Sequence, residues 1–168
     1  MLRNFLFSFL FVAAIASFAS AQATATSAPK DTNATAQAKA DSTNKGGALY
    51  FDKEQVEKIF AAGGSFVKDD DKNYQITAGS RTTPGTAEIH GNYTDIFYVL
   101  GGSATIVTGG SIVDEKTVAP EEFRGTAVKE GETRQLSKGD LIVIPHGTPH
   151  WLQQVQGTFQ YLVVKVHK

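Results

Sequence analysis

Two short stretches concentrate residues able to do chemistry. In AEIHGNYTDIFYVLGG, Ala87 to Gly102, Glu88 and His90 stand two apart in a strand-like run, and Asp95 follows after four intervening residues. Residues i and i+2 of a strand share a face, so the carboxylate and the imidazole project together while Ile89 points away. If GNYT turns the chain, Asp95 opens the next strand close enough to complete a cluster. Later, in GDLIVIPHGTPHWLQQ, a strand from Asp140 to Ile144 ends in a tight Pro145-His146-Gly147 turn, and His150 begins the returning strand. Two hairpins would then each carry a histidine at the same end, facing one another inside a closed barrel. Imidazoles beside carboxylates suit a metal site; they also suit a hydrogen-bonded polar rim. Residue types alone leave both readings open.

The elements that must position these groups are short strands. YQITAGSR, TAEIH, DIFYVL, SATIVTGG, TRQL, DLIVIP, HWLQQV and TFQYLVVKV are rich in β-branched and aromatic residues and bounded by Gly, Pro or Asp. Many such strands at close spacing imply an antiparallel sandwich or small barrel. Phe97 and Val99 share the face of Asp95 and should line the interior. Trp151 should point opposite to His150 and pack, and His146 should face solvent. Asp114 to Gly125, with Pro120 and two glutamates after it, reads as a long loop near the barrel mouth. Gly101-Gly102 and Gly109-Gly110 read as turns, since no G-x-G-x-x-G or lysine-bearing P-loop accompanies them. One helix is expected: Asp52 can cap it, Gln55 sits three residues on, and Val56, Ile59 and Phe60 form a stripe ending at Gly63-Gly64.

The spacing of the two stretches resembles the cupin superfamily. Its first motif is G-x5-H-x-H-x3,4-E-x6-G and its second G-x5-P-x-G-x2-H-x3-N. Glu88-x-His90-x4-Asp95-x6-Gly102 follows the first from its ligands onward, and Gly139-x5-Pro145-x-Gly147-x2-His150-x3-Gln154 follows the second throughout. Glu88 replaces the usual first histidine, Asp95 the glutamate, Gln154 the asparagine, and Thr82 the leading glycine. The resemblance implies an all-β, single cupin-type jelly-roll barrel, preceded here by the short helix. It also implies a metal site of up to four ligands: Glu88, His90, Asp95 and His150. His90 and His150 carry over most directly. Asp95 is a shorter carboxylate that can reach an ion through water, and Glu88 can act as ligand or general base. Two imidazoles with two oxygens favour a divalent first-row ion, Mn or Fe ahead of Zn or Ni.

Family membership does not set chemistry. The resemblance implies a metal-dependent enzyme of lyase, isomerase or dioxygenase type acting on a small polar, oxygen-rich metabolite. The alternative is a non-catalytic module that binds or senses a sugar or metabolite. An open coordination position plus a second proton-transfer group in the pocket would favour the enzyme. Tyr161 and Lys165 share a face of the last strand, but whether that face is inward is open.

The remainder of the chain bounds compartment and partners. Arg3 followed by an apolar run from Phe5 to Phe18 and by Ala19-Ser20-Ala21 has the layout of a cleaved secretory signal peptide over residues 1–21. Export, to the periplasm or beyond, is expected. Residues 22–47 are Ala, Thr, Ser, Asn, Lys and Asp with almost nothing large and apolar, which predicts a disordered tether. The folded domain is expected over 48–168. Sixteen basic residues meet seventeen acidic ones, without a basic block to track a phosphate backbone, so nucleic acid is not an expected partner. No membrane attachment is expected once the leader is removed. The absence of cysteine excludes disulfides and thiolate ligands. A small-molecule ligand is the expected partner, and cupins often pair as homodimers.

Overall fold

The computed structural model describes residues 47–68 and 72–168. The expected leader, and the expected tether but for its last residue, lie outside the described residues. Helix α1 (Lys53–Ala62) begins as its sequence dictates: Asp52 accepts from the Gln55 backbone while the Gln55 side chain accepts from the Asp52 backbone, and Gly63 closes the helix. This reciprocal cap satisfies two of the donors that a helix start leaves unpaired. Ile59 is buried, and α1 lies against the first two strands. Among the described residues no helix is long and apolar enough to cross a membrane.

The strands follow as β1 (Gly64–Val67), β2 (Tyr74–Arg81), β3 (Ala87–His90), β4 (Tyr93–Thr108), β5 (Ser111–Val113), β6 (Lys116–Ala119), β7 (Glu122–Gly125), β8 (Ala127–Lys129), β9 (Glu132–Ser137), β10 (Leu141–Ile144) and β11 (His150–His167). All the pairings are antiparallel. Two long strands, β4 and β11, pair along their whole length and belong to both faces of the barrel. Their outer halves continue one face through β10 on the β4 side and through β2 and β1 on the β11 side. The other halves continue the second face through β9 and, across His150, through β3, β7 and β6. The fold is an all-β cupin-type jelly roll. Phe97, Val99, Ala104, Ile106, Leu136, Ile144, Leu152, Phe159, Tyr161 and Val163 form one buried cluster between the faces. Phe97 and Val99 therefore line the interior, as their parity with Asp95 requires.

Three expectations are corrected. DIFYVL and SATIVTGG are one strand: Gly101-Gly102 lies inside β4, where the register with β11 shifts between Gln156 and Gln160. Gly102 has φ 68°, and a Cβ there would meet the Thr158 carbonyl oxygen. The glycine bends the sheet across a bulge and does not end a strand. Gly102→Ala is expected to cost about 1–3 kcal/mol, from strain at positive φ and overpacking together; chemical denaturation of the variant measures it. Second, the segment Asp114 to Gly125 is not a loop: it contains β6 and β7, and β7 is a full partner of β3. Third, neither histidine sits on a hairpin. β3 and β4 pair with other strands, as do β10 and β11, so each intervening turn carries the chain from one face of the barrel to the other.

Candidate metal centre

Register brings the two corners together. His150 stands opposite Glu88 across β11 and β3, and the Gly147 amide in the second turn donates to the His90 carbonyl at 2.9 Å. The two imidazole rings lie 5.3 Å apart, centre to centre, and both histidines are buried. His90 Nε2 is 3.7 Å from both Glu88 Oε2 and Asp95 Oδ2, and His150 Nε2 is 3.6 Å from Glu88 Oε1 and 3.9 Å from Asp95 Oδ2. Ligand atoms of Glu88, His90 and His150 all lie within 4.8 Å of one another. The centre is thus built from one carboxylate and two imidazoles on β3 and β11.

The remaining ring nitrogens are already occupied. His90 Nδ1 lies 2.7 and 2.9 Å from the two Glu122 carboxylate oxygens, and His150 Nδ1 lies 3.1 Å from the Thr148 carbonyl oxygen. These partners only accept, so each Nδ1 carries a proton and donates, and each Nε2 is the ring's available ligand atom. His150 Nε2 is buried with no hydrogen-bond partner. A buried polar atom left unpaired costs about 1–3 kcal/mol, and a bound cation would remove that cost. Burial foremost, and the Lys165 charge next, lower the His90 pKa to about 4 against the pull of Glu88 and Asp95. The ring is therefore neutral at neutral pH, the form that ligates. Burial alone would raise the Glu88 carboxyl, but the facing His150, then Arg124 and His90, outweigh it and hold the group well below the usual carboxylate range. The neutral His90 ring, the ionised Glu88 carboxylate and the orphaned His150 Nε2 converge in a donor set that fits a divalent first-row ion.

Asp95 borders this trio and is turned to a different partner. Only 2% of it is exposed, and both its oxygens accept from Lys165 Nζ, at 2.8 and 2.6 Å. Lys165 and Tyr161 thus both face inward, the alternative that strand parity left undecided. Trp151 points away from His150, and its Nε1 donates to the Gly85 carbonyl at 2.8 Å. His146 is exposed.

The residues that sequence reasoning missed lie on β7. Its cross-strand register sets Glu122 opposite His90 and Arg124 opposite Glu88. Arg124 reaches Glu88 Oε2 at 3.1 Å through Nη2 and Glu122 Oε2 at 3.3 Å through Nη1, so one guanidinium braces both carboxylates. The signal was present as an acid and a base two apart in EFRG, mirroring Glu88 and His90, but Pro120 and the adjacent charges masked the strand. Outer groups that hold a ligating histidine typically matter by about 10–100-fold in metal affinity. Glu122→Gln is expected to weaken binding of Zn(II) or Mn(II) within that range, as measured by competition with a chelator of known affinity.

A family model for cupins matches residues 78–168, which contain Glu88, His90, Asp95 and His150. The chain belongs to the cupin family. Among solved structures, the cupin is similar to BH2720 of Bacillus halodurans at 13% identity and a TM-score of 0.51, covering 74% of this chain and 85% of that one. A Bacteroides fragilis cupin protein aligns at 13% identity and TM-score 0.41, over 57% of this chain and 67% of that one. Peruvianin-I, a cysteine peptidase from Thevetia peruviana latex, aligns at 13% identity and TM-score 0.39, over 56% of this chain and 51% of its own. The cupin thus spans about half the length of peruvianin-I. No curated protein matches the sequence.

Proposed function

We propose that this cupin is an exported, metal-dependent enzyme acting on a small polar, oxygen-rich metabolite. The observation that carries the metal half is the convergence of the orphaned His150 Nε2 with His90 Nε2 and Glu88. Glu88, His90 and His150 would hold the ion, with Asp95 beside them as a fourth, water-linked oxygen. Mn or Fe suits this oxygen-rich set ahead of Zn or Ni. When bound, such an ion supplies Lewis acidity to a ligand oxygen.

The catalytic half is supported by Lys165. Its ammonium holds a proton against Asp95 inside the barrel, next to the trio, where an acid–base group is needed. Glu122 keeps the His90 proton on Nδ1, and Arg124 keeps Glu88 ionised and aimed. Phe97, with its ring edge-on to His150 at 6.4 Å, walls that side of the centre against water. Export rests on the Arg3 to Ala21 pattern, and amino-terminal sequencing of the secreted protein, expected to begin at Gln22, tests it.

Elemental analysis of the purified domain, before and after chelation, tests the metal reading. About one divalent ion per chain is expected, as for a site whose protein ligands leave positions open. Protein that is purified empty and refuses Mn(II), Fe(II), Zn(II) and Ni(II) would overturn it.

A further inference from the structure

Resting on that metal reading, we propose that the ligand of this centre is a small carboxylic acid, bound as its anion, whose acid group is received by Arg81 beside Tyr161. The register of β2 with β11 sets Arg81 opposite Phe159 and Gly79 opposite Tyr161. Cross-strand partners share a face, and Phe159 and Tyr161 belong to the buried core, so Arg81 is directed inward. Two bare glycines make room for this. The Tyr161 ring lies where a Gly79 Cβ would stand, and Arg81 Nη1 lies where a Gly85 Cβ would stand. The Arg81 charge is felt at the buried Tyr161 hydroxyl, where it works against the upward push of burial. Tyr161 stacks on Phe97 at 5.0 Å, and Phe97 meets the His150 ring edge-on, so an aromatic wall runs from Tyr161 to the metal-facing imidazole.

Charge selects the ligand class. Arg124 is taken up by Glu88 and Glu122, and Lys165 by Asp95. Among the described residues, no carboxylate lies within ion-pair distance of Arg81. Glu88, Asp95 and Glu122 balance Arg81, Arg124 and Lys165 in charge, and a divalent ion leaves the loaded site with two uncompensated positive charges. A neutral sugar cannot cancel these. A carboxylate cancels one and a dicarboxylate both, and the planar guanidinium fork matches the carboxylate in shape.

The test compares acids with their uncharged amides on the Zn(II)-loaded protein by titration calorimetry: lactate against lactamide, and malonate against malonamide. At least one acid is expected to bind about tenfold or more tightly than its amide, the size of a hydrogen bond to a charged group. Arg81→Gln is expected to erase that preference while Zn(II) affinity is unchanged, and Arg81→Lys to restore part of it. If neither acid outbinds its amide, or if Arg81→Gln leaves the preference intact, the inference is wrong although the metal centre stands. Failure to load Zn(II) at all would overturn both.

Discussion

Protein carrying both His90→Ala and His150→Ala is expected to be purified without a divalent ion, under conditions in which the unaltered chain retains one. The two Nε2 atoms would be the nitrogen ligands of a bound ion, and each ring is pre-set by a partner on its other nitrogen. Loss of an outer partner alone typically costs about 10–100-fold in metal affinity. Loss of two direct ligands exceeds that, because Glu88 is left as one carboxylate already braced by Arg124. Both rings are buried, so the folded state must be checked by circular dichroism and thermal melting. The single changes His90→Gln and His150→Gln, which keep more volume, provide a second route. Full occupancy in a folded double variant would remove the centre as described.

The second large effect separates the roles of Glu88. As a ligand, Glu88→Ala weakens metal binding strongly, while Glu88→His retains it by restoring a third imidazole. As a base, Glu88→Gln leaves the ion in place but lowers turnover by about 10²–10⁴-fold. The structure favours the ligand role. Its two oxygens face one histidine each, and the Arg124 guanidinium pairs with the carboxylate. Metal content and affinity of Glu88→Ala, read beside those of Glu88→Gln, decide between the roles. Unchanged values in both would leave the ion to His90, His150 and Asp95.

Local signals were legible and long-range ones were not. The Asp52–Gln55 cap and the strand parities of Glu88 with His90 and of Asp95 with Phe97 depend on neighbours a few residues apart, and each appears where sequence places it. Gly102 misled because a turn and a bulge ask the same thing of a glycine, a positive φ. The corners around Gly91 and Gly147 misled because adjacency in sequence does not say whether two strands pair with each other or join different faces. β7 was hidden for a related reason: its value as a strand comes from lying beside β3, not from its own apolar content. Lys165 could not be oriented because parity fixes which residues share a face without saying which face is inside.

The double membership of β11 also bears on how the centre assembles. His150 becomes a neighbour of Glu88 only when β11 has docked on β4 along one edge and on β3 along the other. Such pairings close long stretches of chain before they yield stabilisation, and folds dominated by them form slowly. An unfolded chain offers only Glu88 and His90 as a local pair, too sparse to gather an ion early. Interactions absent from the transition state act chiefly on the rate of unfolding. Added Zn(II) should therefore leave the refolding rate nearly unchanged and slow the escape from the native state, so that the ion serves as a latch on a finished barrel and not as a template for building it.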